Sequence, residues 1–119
     1  MSISVIIPTL NEAEVIGQTL REVQKRHSGH VDEIIVVDGG SSDNTTNLAN
    51  DAGARVIEAS KKGRARQMNE GARHAQAEIF YFLHADSVPP TNFDQRIIEA
   101  RRQGYPSGCF QLGFDADHP

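Results

Sequence analysis

An α/β domain with a mainly parallel sheet and helices on both faces is the fold class this sequence predicts, on three observations. Short β-rich runs alternate with helical patterns from end to end, as βαβ units do. The run Ile34-Ile35-Val36-Val37 is continuously apolar, as a strand covered on both faces should be. At 119 residues the chain is long enough for one modest core and too short for two, so residues 1–119 are read as one domain.

The elements follow in order. Ile3 to Ile7 is the first strand, ended by Pro8. Asn11 with Glu14 reads as a capping pair for a helix whose apolar face is Val15, Ile16, Leu20 and Val23. The second strand, Ile34 to Val37, ends at Asp38, and Gly39-Gly40-Ser41-Ser42 turns the chain into a short helix from Asp43 to Ala52, closed by Gly53. Arg55 to Glu58 is a weaker third strand. Gly63 to Ala75 reads as a helix with Ala65, Met68, Ala72 and Ala75 near one face. Ile79 to Leu83 is the fourth strand. After Pro89-Pro90, Thr91 and Asp94 form a capping-box pattern for a helix that turns Phe93, Ile97 and Ile98 inward. Gly108 to Phe114 alternates enough to be a final strand. A sheet that stops on a fresh strand leaves an edge unpaired, so a truncated piece of a longer protein is expected, with pairing of copies along that edge as its means of forming a homo-oligomer.

Composition narrows the function classes. The chain is 38% hydrophobic and 24% charged, and no apolar stretch approaches the ~20 residues that cross a bilayer. The N-terminus runs directly into the first strand without a secretory leader, and Cys109 is the single cysteine, which leaves no intrachain disulfide and no Cys-rich zinc site; a cytoplasmic protein is expected. A net charge of −4 argues against general nucleic-acid binding. Charge is nevertheless uneven: Lys61, Lys62, Arg64 and Arg66 gather in one glycine-containing segment, which is either a solvated loop and helix start or a spot for a small anion.

Three strands deliver polar side chains at their carboxyl ends: Thr9 and Glu12 after the first, Asp38 after the second, His84 and Asp86 after the fourth. Parallel strands put those ends on one rim, where open α/β sheets bind ligands. Carboxylates meeting there repel unless a cation or hydrogen-bond donors compensate them. In Asp38-Gly39-Gly40-Ser41-Ser42-Asp43 the glycines permit close approach of a ligand and Asp38 can accept from a base or ribose; equally, Asp43 and the serines cap the next helix. Neither Gly-x-Gly-x-x-Gly nor Gly-x-x-x-x-Gly-Lys is present, which removes dinucleotide oxidoreductases and P-loop NTPases from the leading candidates.

Val5-Ile6-Ile7-Pro8-Thr9-Leu10-Asn11-Glu12, then Ile35-Val36-Val37-Asp38-Gly39-Gly40-Ser41-Ser42-Asp43-Asn44-Thr45, then Leu83-His84-Ala85-Asp86, in that order and spacing, resemble the nucleotide-binding half of a family 2 glycosyltransferase. The resemblance implies the GT-A (Rossmann-like) fold, with residues 1–119 as the nucleotide-diphospho-sugar-binding portion and the acceptor half absent. It implies that Pro8, Thr9 and Glu12 border the nucleotide, that Asp38 holds the base, that Arg64 and Arg66 lie beside the diphosphate, and that Asp86 ligates a divalent metal, Mn²⁺ or Mg²⁺. The reaction implied is transfer of a sugar from a nucleotide diphosphate to an unknown acceptor with inversion, its base lying beyond residue 119. The fragment is then a donor binder of little activity of its own, and the full-length protein could sit at a membrane periphery.

One departure from the family pattern stands out, because its usual Asp-x-Asp is here His84-Ala85-Asp86. Imidazole suits softer metals better than Mg²⁺, so either Mn²⁺ is preferred or His84 contacts ribose or water and leaves the metal to Asp86; the second is the expectation. Asp115-Ala116-Asp117-His118 is a second Asp-x-Asp in a tail and reads as solvated. His27, His30 and His74 read as surface residues. The competing readings are a non-catalytic nucleotide- or metal-binding module on the same scaffold and a nucleotidyltransferase, the latter disfavoured by the lack of a glycine-rich loop after the first strand.

Overall fold

All seven residues of the first strand, β1 (Ile3–Thr9), are buried, which follows from its place in the sheet. The computed structural model describes residues 1–104 and the strand at 109–111. Among these, β1 lies between β2 (Val31–Asp38) and β4 (Ile79–Phe82), with β3 (Arg55–Glu58) and β5 (Cys109–Gln111) outside them, in the order β3-β2-β1-β4-β5. Every pairing among the five strands is parallel. Carboxyl ends therefore share one rim, and the register sets Thr9 directly beside Asp38.

Side-chain alternation along β1 divides the core. Ile3, Val5 and Ile7 face a large cluster with Ile16, Leu20 and Val23 of α1 (Ile16–Arg26), Ala49 of α2 (Thr45–Asp51) and Phe93, Ile97 and Ile98 of α4 (Phe93–Arg102). Ile6 joins Ile35 and Val37 in a smaller cluster on the opposite face, under Ala72 and Ala75 of the α3 region (helix Arg64–His74). Helices thus cover both faces, and continuous apolar runs in β1 and β2 are explained by it. No helix among the described residues is long and apolar enough to cross a membrane.

Helix α3 packs differently from its expected apolar stripe. Its buried residues are Gln67 and Gly71, whereas Ala65 is exposed and Met68 only half-buried. A Cβ at Gly71 would stand 2.6 Å from Ile6 Cγ2 and 2.8 Å from Val37 Cγ2, so the bare glycine is what lets the helix lie this close to the sheet.

Both expected capping pairs are replaced by longer-range bonds. Helix α1 starts at Ile16, after a turn in which Val15 N and Ile16 N donate to Glu12 O, and no side chain caps it. Asn11 instead has φ 55 and turns its Oδ1 to accept from Ser42 N at 2.8 Å, in the loop after β2. At α4, Asp94 is fully buried and accepts from Ser28 N, Ser28 Oγ and His30 N at 2.8–3.0 Å, pinning the α1–β2 connection, while Thr91 Oγ1 accepts from Arg26 at 3.3 Å. Asn11 and Asp94, short polar side chains able to cap their own helices, thus accept from donors in neighbouring loops. Helix α2 begins at Thr45 rather than Asp43, because the Asp43 carboxylate accepts from Thr45 and from Ala13 N across the rim. Of the expected last strand only Cys109–Gln111 is described, paired on β4 at one edge of the sheet; Asp115-Ala116-Asp117-His118 lie outside the described residues.

Candidate functional site at the carboxyl rim of the sheet

Asp38 ends β2 and is 2% exposed. Its Oδ1 accepts from Thr9 Oγ1 at 2.8 Å and Ser41 Oγ at 2.6 Å, and its Oδ2 from Gly40 N at 3.0 Å and Ser41 N at 2.7 Å. Those four donors engage about as many lone-pair sites as a carboxylate offers. Burial pushes this carboxyl's pKa up, but the hydrogen bonds from Ser41, Thr9 and Gly40 outweigh it and hold the pKa below the usual aspartate value. Hydrogen-bond donors thus offset this deeply buried charge. The turn they shape carries Gly40 at φ 104, a conformation a side chain rarely adopts.

The loops after β1 and β2 are stitched into one wall. Asn11 N donates to Ser41 Oγ at 2.8 Å, Glu12 N to Thr45 Oγ1 at 2.8 Å, and Ala13 N to Asp43 Oδ2 at 3.2 Å. The opposite wall is the loop leading into α3, and Gln67 fixes it. This amide is 3% exposed and donates from Nε2 to Thr9 O at 2.9 Å and Val37 O at 2.8 Å, while Gly63 N donates to its Oε1 at 3.1 Å. One side chain therefore ties the ends of β1 and β2 to the start of the basic helix. Between the walls is a hollow of about 240 Å³ bordered by Pro8, Thr9, Leu10 and Glu12 on one side and Lys62, Gly63, Arg64 and Gln67 on the other.

The rim gathers most of the residues that the sequence singled out. Pro8, Thr9, Glu12 and Arg64 line the hollow, and Pro8 also borders a narrow crevice with Met68, Phe82, Leu83 and half-buried His84. Asp38 sits beneath, joined through Thr9. Arg66 is set apart: with Lys61 and Arg73 it faces a separate hollow of about 210 Å³ on the outer side of α3, so the basic cluster divides between two surfaces. Asp86 is exposed, on a turn closed by Ser87 N donating to His84 O at 3.1 Å, and its carboxylate makes no hydrogen bond or ion pair among the described residues.

No group of three or more His, Cys, Asp or Glu suited to a metal occurs among the described residues. The exposed Asp86 carboxylate by itself fits a hard divalent ion, provided phosphate oxygens and water complete the shell, and His84 two residues away adds a donor only for a softer ion. Mg²⁺ sites with nucleotides are commonly built so, from one or two carboxylates plus substrate phosphates.

Gln67 is the functional-site residue that sequence reasoning missed. Its signal was present in the spacing Gly63, Gln67, Gly71, a polar residue on the inward i, i+4 stripe of a helix between two glycines. Thr45, which receives Glu12 N, left no such signal.

Comparison with known proteins identifies the family. The pattern of glycosyl transferase family 2 matches residues 4–115. The chain belongs to that family. It is 31% identical over 105 residues to glycosyltransferase AglJ of Haloferax volcanii, covering 87% of this chain and 34% of AglJ. It is 32% identical over 109 residues to the dolichol-phosphate mannosyltransferase of Pyrococcus furiosus, covering 87% and 31%. Among solved structures, glucosyl-3-phosphoglycerate synthase from Mycobacterium tuberculosis superposes with a TM-score of 0.73 at 28% identity, over 84% of this chain and 39% of that one. That protein was crystallised with Mn²⁺, UDP and glucosyl-3-phosphoglycerate, and also with Mg²⁺ and UDP. The fold is accordingly the Rossmann-like GT-A fold, and the chain spans about a third of the length of the curated relatives it matches.

Proposed function

We propose that this chain is the donor-binding portion of a glycosyltransferase that moves a sugar from a nucleotide diphosphate to an acceptor with inversion. The observation that carries the reading is the hollow at the carboxyl rim, where the Pro8–Glu12 loop faces Lys62 and Arg64. Arg64 offers fixed N–H donors to phosphate oxygens and Lys62 a compact positive charge. Thr9 and Glu12 border the nucleotide, and His84, reached past Pro8, contacts ribose or water. Arg66, which faces the separate hollow on the outer side of α3, is not a partner of a diphosphate seated in the rim hollow, and that role falls to Arg64. Asp38 shapes the turn over which the base lies; a direct bond to the base requires one of its four present donors to give way.

Asp86, with His84 beside it, is the residue that would hold a divalent ion. When bound, such an ion offsets charge on the departing diphosphate. The base that deprotonates the acceptor, and the acceptor contacts, are assigned to sequence outside these 119 residues. Cytoplasmic residence belongs to the same reading, as does pairing of two copies along the β5 edge, for which a dimer in sedimentation velocity is the check.

Titration of the chain with UDP, GDP and ADP, each with and without Mn²⁺, tests the proposal. At least one nucleotide should bind, more tightly with Mn²⁺, and Arg64→Ala should weaken it about tenfold or more, the loss of one charge-assisted hydrogen-bonding group. Failure of all three to bind a demonstrably folded chain, or indifference to Arg64→Ala, contradicts it.

A further inference from the structure

The turn that carries Asp86 hangs from helix α1 by one bond. Leu83 N makes its last sheet contact by donating to Ile6 O at 3.0 Å, and the chain then leaves β4. Ala85, 4% exposed, turns its carbonyl inward, where Thr19 Oγ1 donates to it at 2.5 Å. Thr19 is itself 4% exposed and lies in α1, 66 residues away along the chain. Half-buried His84 and exposed Asp86 flank that anchored carbonyl, so its direction sets how the two side chains are presented. Without the hydroxyl, Ala85 O would be a buried acceptor with no partner, and the turn would have to rotate to bring it to water. The loop that starts α1 is the one bonded to the β2–α2 turn through Asn11, Glu12 and Ala13. Thr19 therefore connects the wall of the hollow to the Asp86 turn.

We propose that Thr19 is a positioning residue for the Asp86 turn and sets the affinity of this site for a divalent cation; the inference rests on the assignment of Asp86 above. Thr19 touches neither the cation nor the nucleotide. It acts by holding the Asp86 turn in place through the Ala85 carbonyl, and partners of this kind typically govern metal affinity by about 10–100-fold.

The test is the affinity for Mn²⁺, read from the EPR signal of free Mn²⁺ at saturating UDP, across Thr19→Ser, Thr19→Cys and Thr19→Val, with Asp86→Ala alongside. Serine keeps the hydroxyl, cysteine offers a weak donor and valine none. Mn²⁺ affinity should fall in the order Thr and Ser, then Cys, then Val, with Thr19→Val about tenfold weaker than the parent. UDP affinity without metal should stay constant through the series. Wild-type Mn²⁺ affinity in Thr19→Val, beside a loss in Asp86→Ala, overturns the role of Thr19 and leaves the site assignment standing. Undiminished Mn²⁺ binding in Asp86→Ala overturns the site assignment itself. If Thr19→Val does not fold, Thr19→Ser and Thr19→Cys still decide: equal affinity in those two overturns the proposal. A lowered melting temperature with unchanged Mn²⁺ affinity reveals a merely structural bond and overturns it as well.

Discussion

Thr9 Oγ1 donates to Asp38 Oδ1 at 2.8 Å, joining the carboxyl ends of the neighbouring strands β1 and β2 with a bond that neither strand's ladder supplies. Both side chains are 2% exposed. Removing either end therefore strands a buried group. Thr9→Val, which keeps the shape, should cost about 1–3 kcal/mol of stability, and Asp38→Asn, whose amide NH₂ must face donors, at least as much. Urea denaturation of the two variants and the parent checks this; midpoints unchanged from the parent contradict it.

Acid stability follows from two buried carboxylates. Burial raises the pKa of Asp38 and of Asp94, and hydrogen bonds from Ser41, Thr9 and Gly40 at the first and from His30 and Ser28 at the second more than reverse this, so both are lowered in the folded chain. A lowered folded pKa means that the unfolded chain takes up protons first. The stabilisation is complete above the unfolded aspartate value of about 4 and is lost as pH falls through the folded values. Stability measured by urea should be flat from pH 7 to about pH 5 and drop below about pH 4, with a shallower drop in Asp94→Asn than in the parent. An identical pH slope in the variant would show that Asp94 is not linked to folding.

Gln67 and Gly39 should be energetically coupled. A Cβ at Gly39 would lie 2.7 Å from Gln67 Oε1, and that amide is held by three hydrogen bonds, so it cannot swing aside freely. Gly39→Ala should destabilise the parent by about 1–3 kcal/mol and destabilise a Gln67→Ala background by less. Additive losses in the double-mutant cycle would mean that the two residues do not compete for the same space.

At Gly71 two effects oppose one another. Alanine gains about 1 kcal/mol in helix propensity over glycine, yet its Cβ must enter space 2.6 Å from a methyl of fully buried Ile6. Overpacking of that kind costs about 1–3 kcal/mol, and the central strand has no room to yield, so the clash wins. Gly71→Ala should lower the melting temperature, and a raised one would show that α3 can lift from the sheet without penalty.

How much of this was legible in the sequence depends on the range of the interaction. Strand β3 has the bounds that its residues indicate, and β1, β2 and β4 are placed within a few residues, because hydrophobic runs and turn residues are local signals. The gathering of Thr9, Asp38 and His84 on one rim followed from the parallel pattern alone. What stayed hidden was the choice made by polar side chains between a local cap and a distant donor: Asn11 and Asp94 both carry the composition of helix caps, and both bond to loops about 30 and 65 residues away. Arg64 and Arg66 form one basic cluster in the sequence, although a step of two residues on a helix puts them on different faces. Gln67 escaped notice because a polar residue in a helix is ordinarily solvated, and only the packed structure shows what its amide ties together.

The central claim, a nucleotide diphosphate seated between the Pro8–Glu12 loop and the start of α3, is tested most directly by titrating ¹⁵N-labelled chain with UDP in the presence of Mg²⁺. Saturable amide shift changes at Thr9, Glu12, Gly63 and Arg64, extending to Asp86 only when Mg²⁺ is present, are the predicted result. Changes confined to the Lys61–Arg66–Arg73 hollow or to α4, or no saturable change in a folded chain, would contradict it.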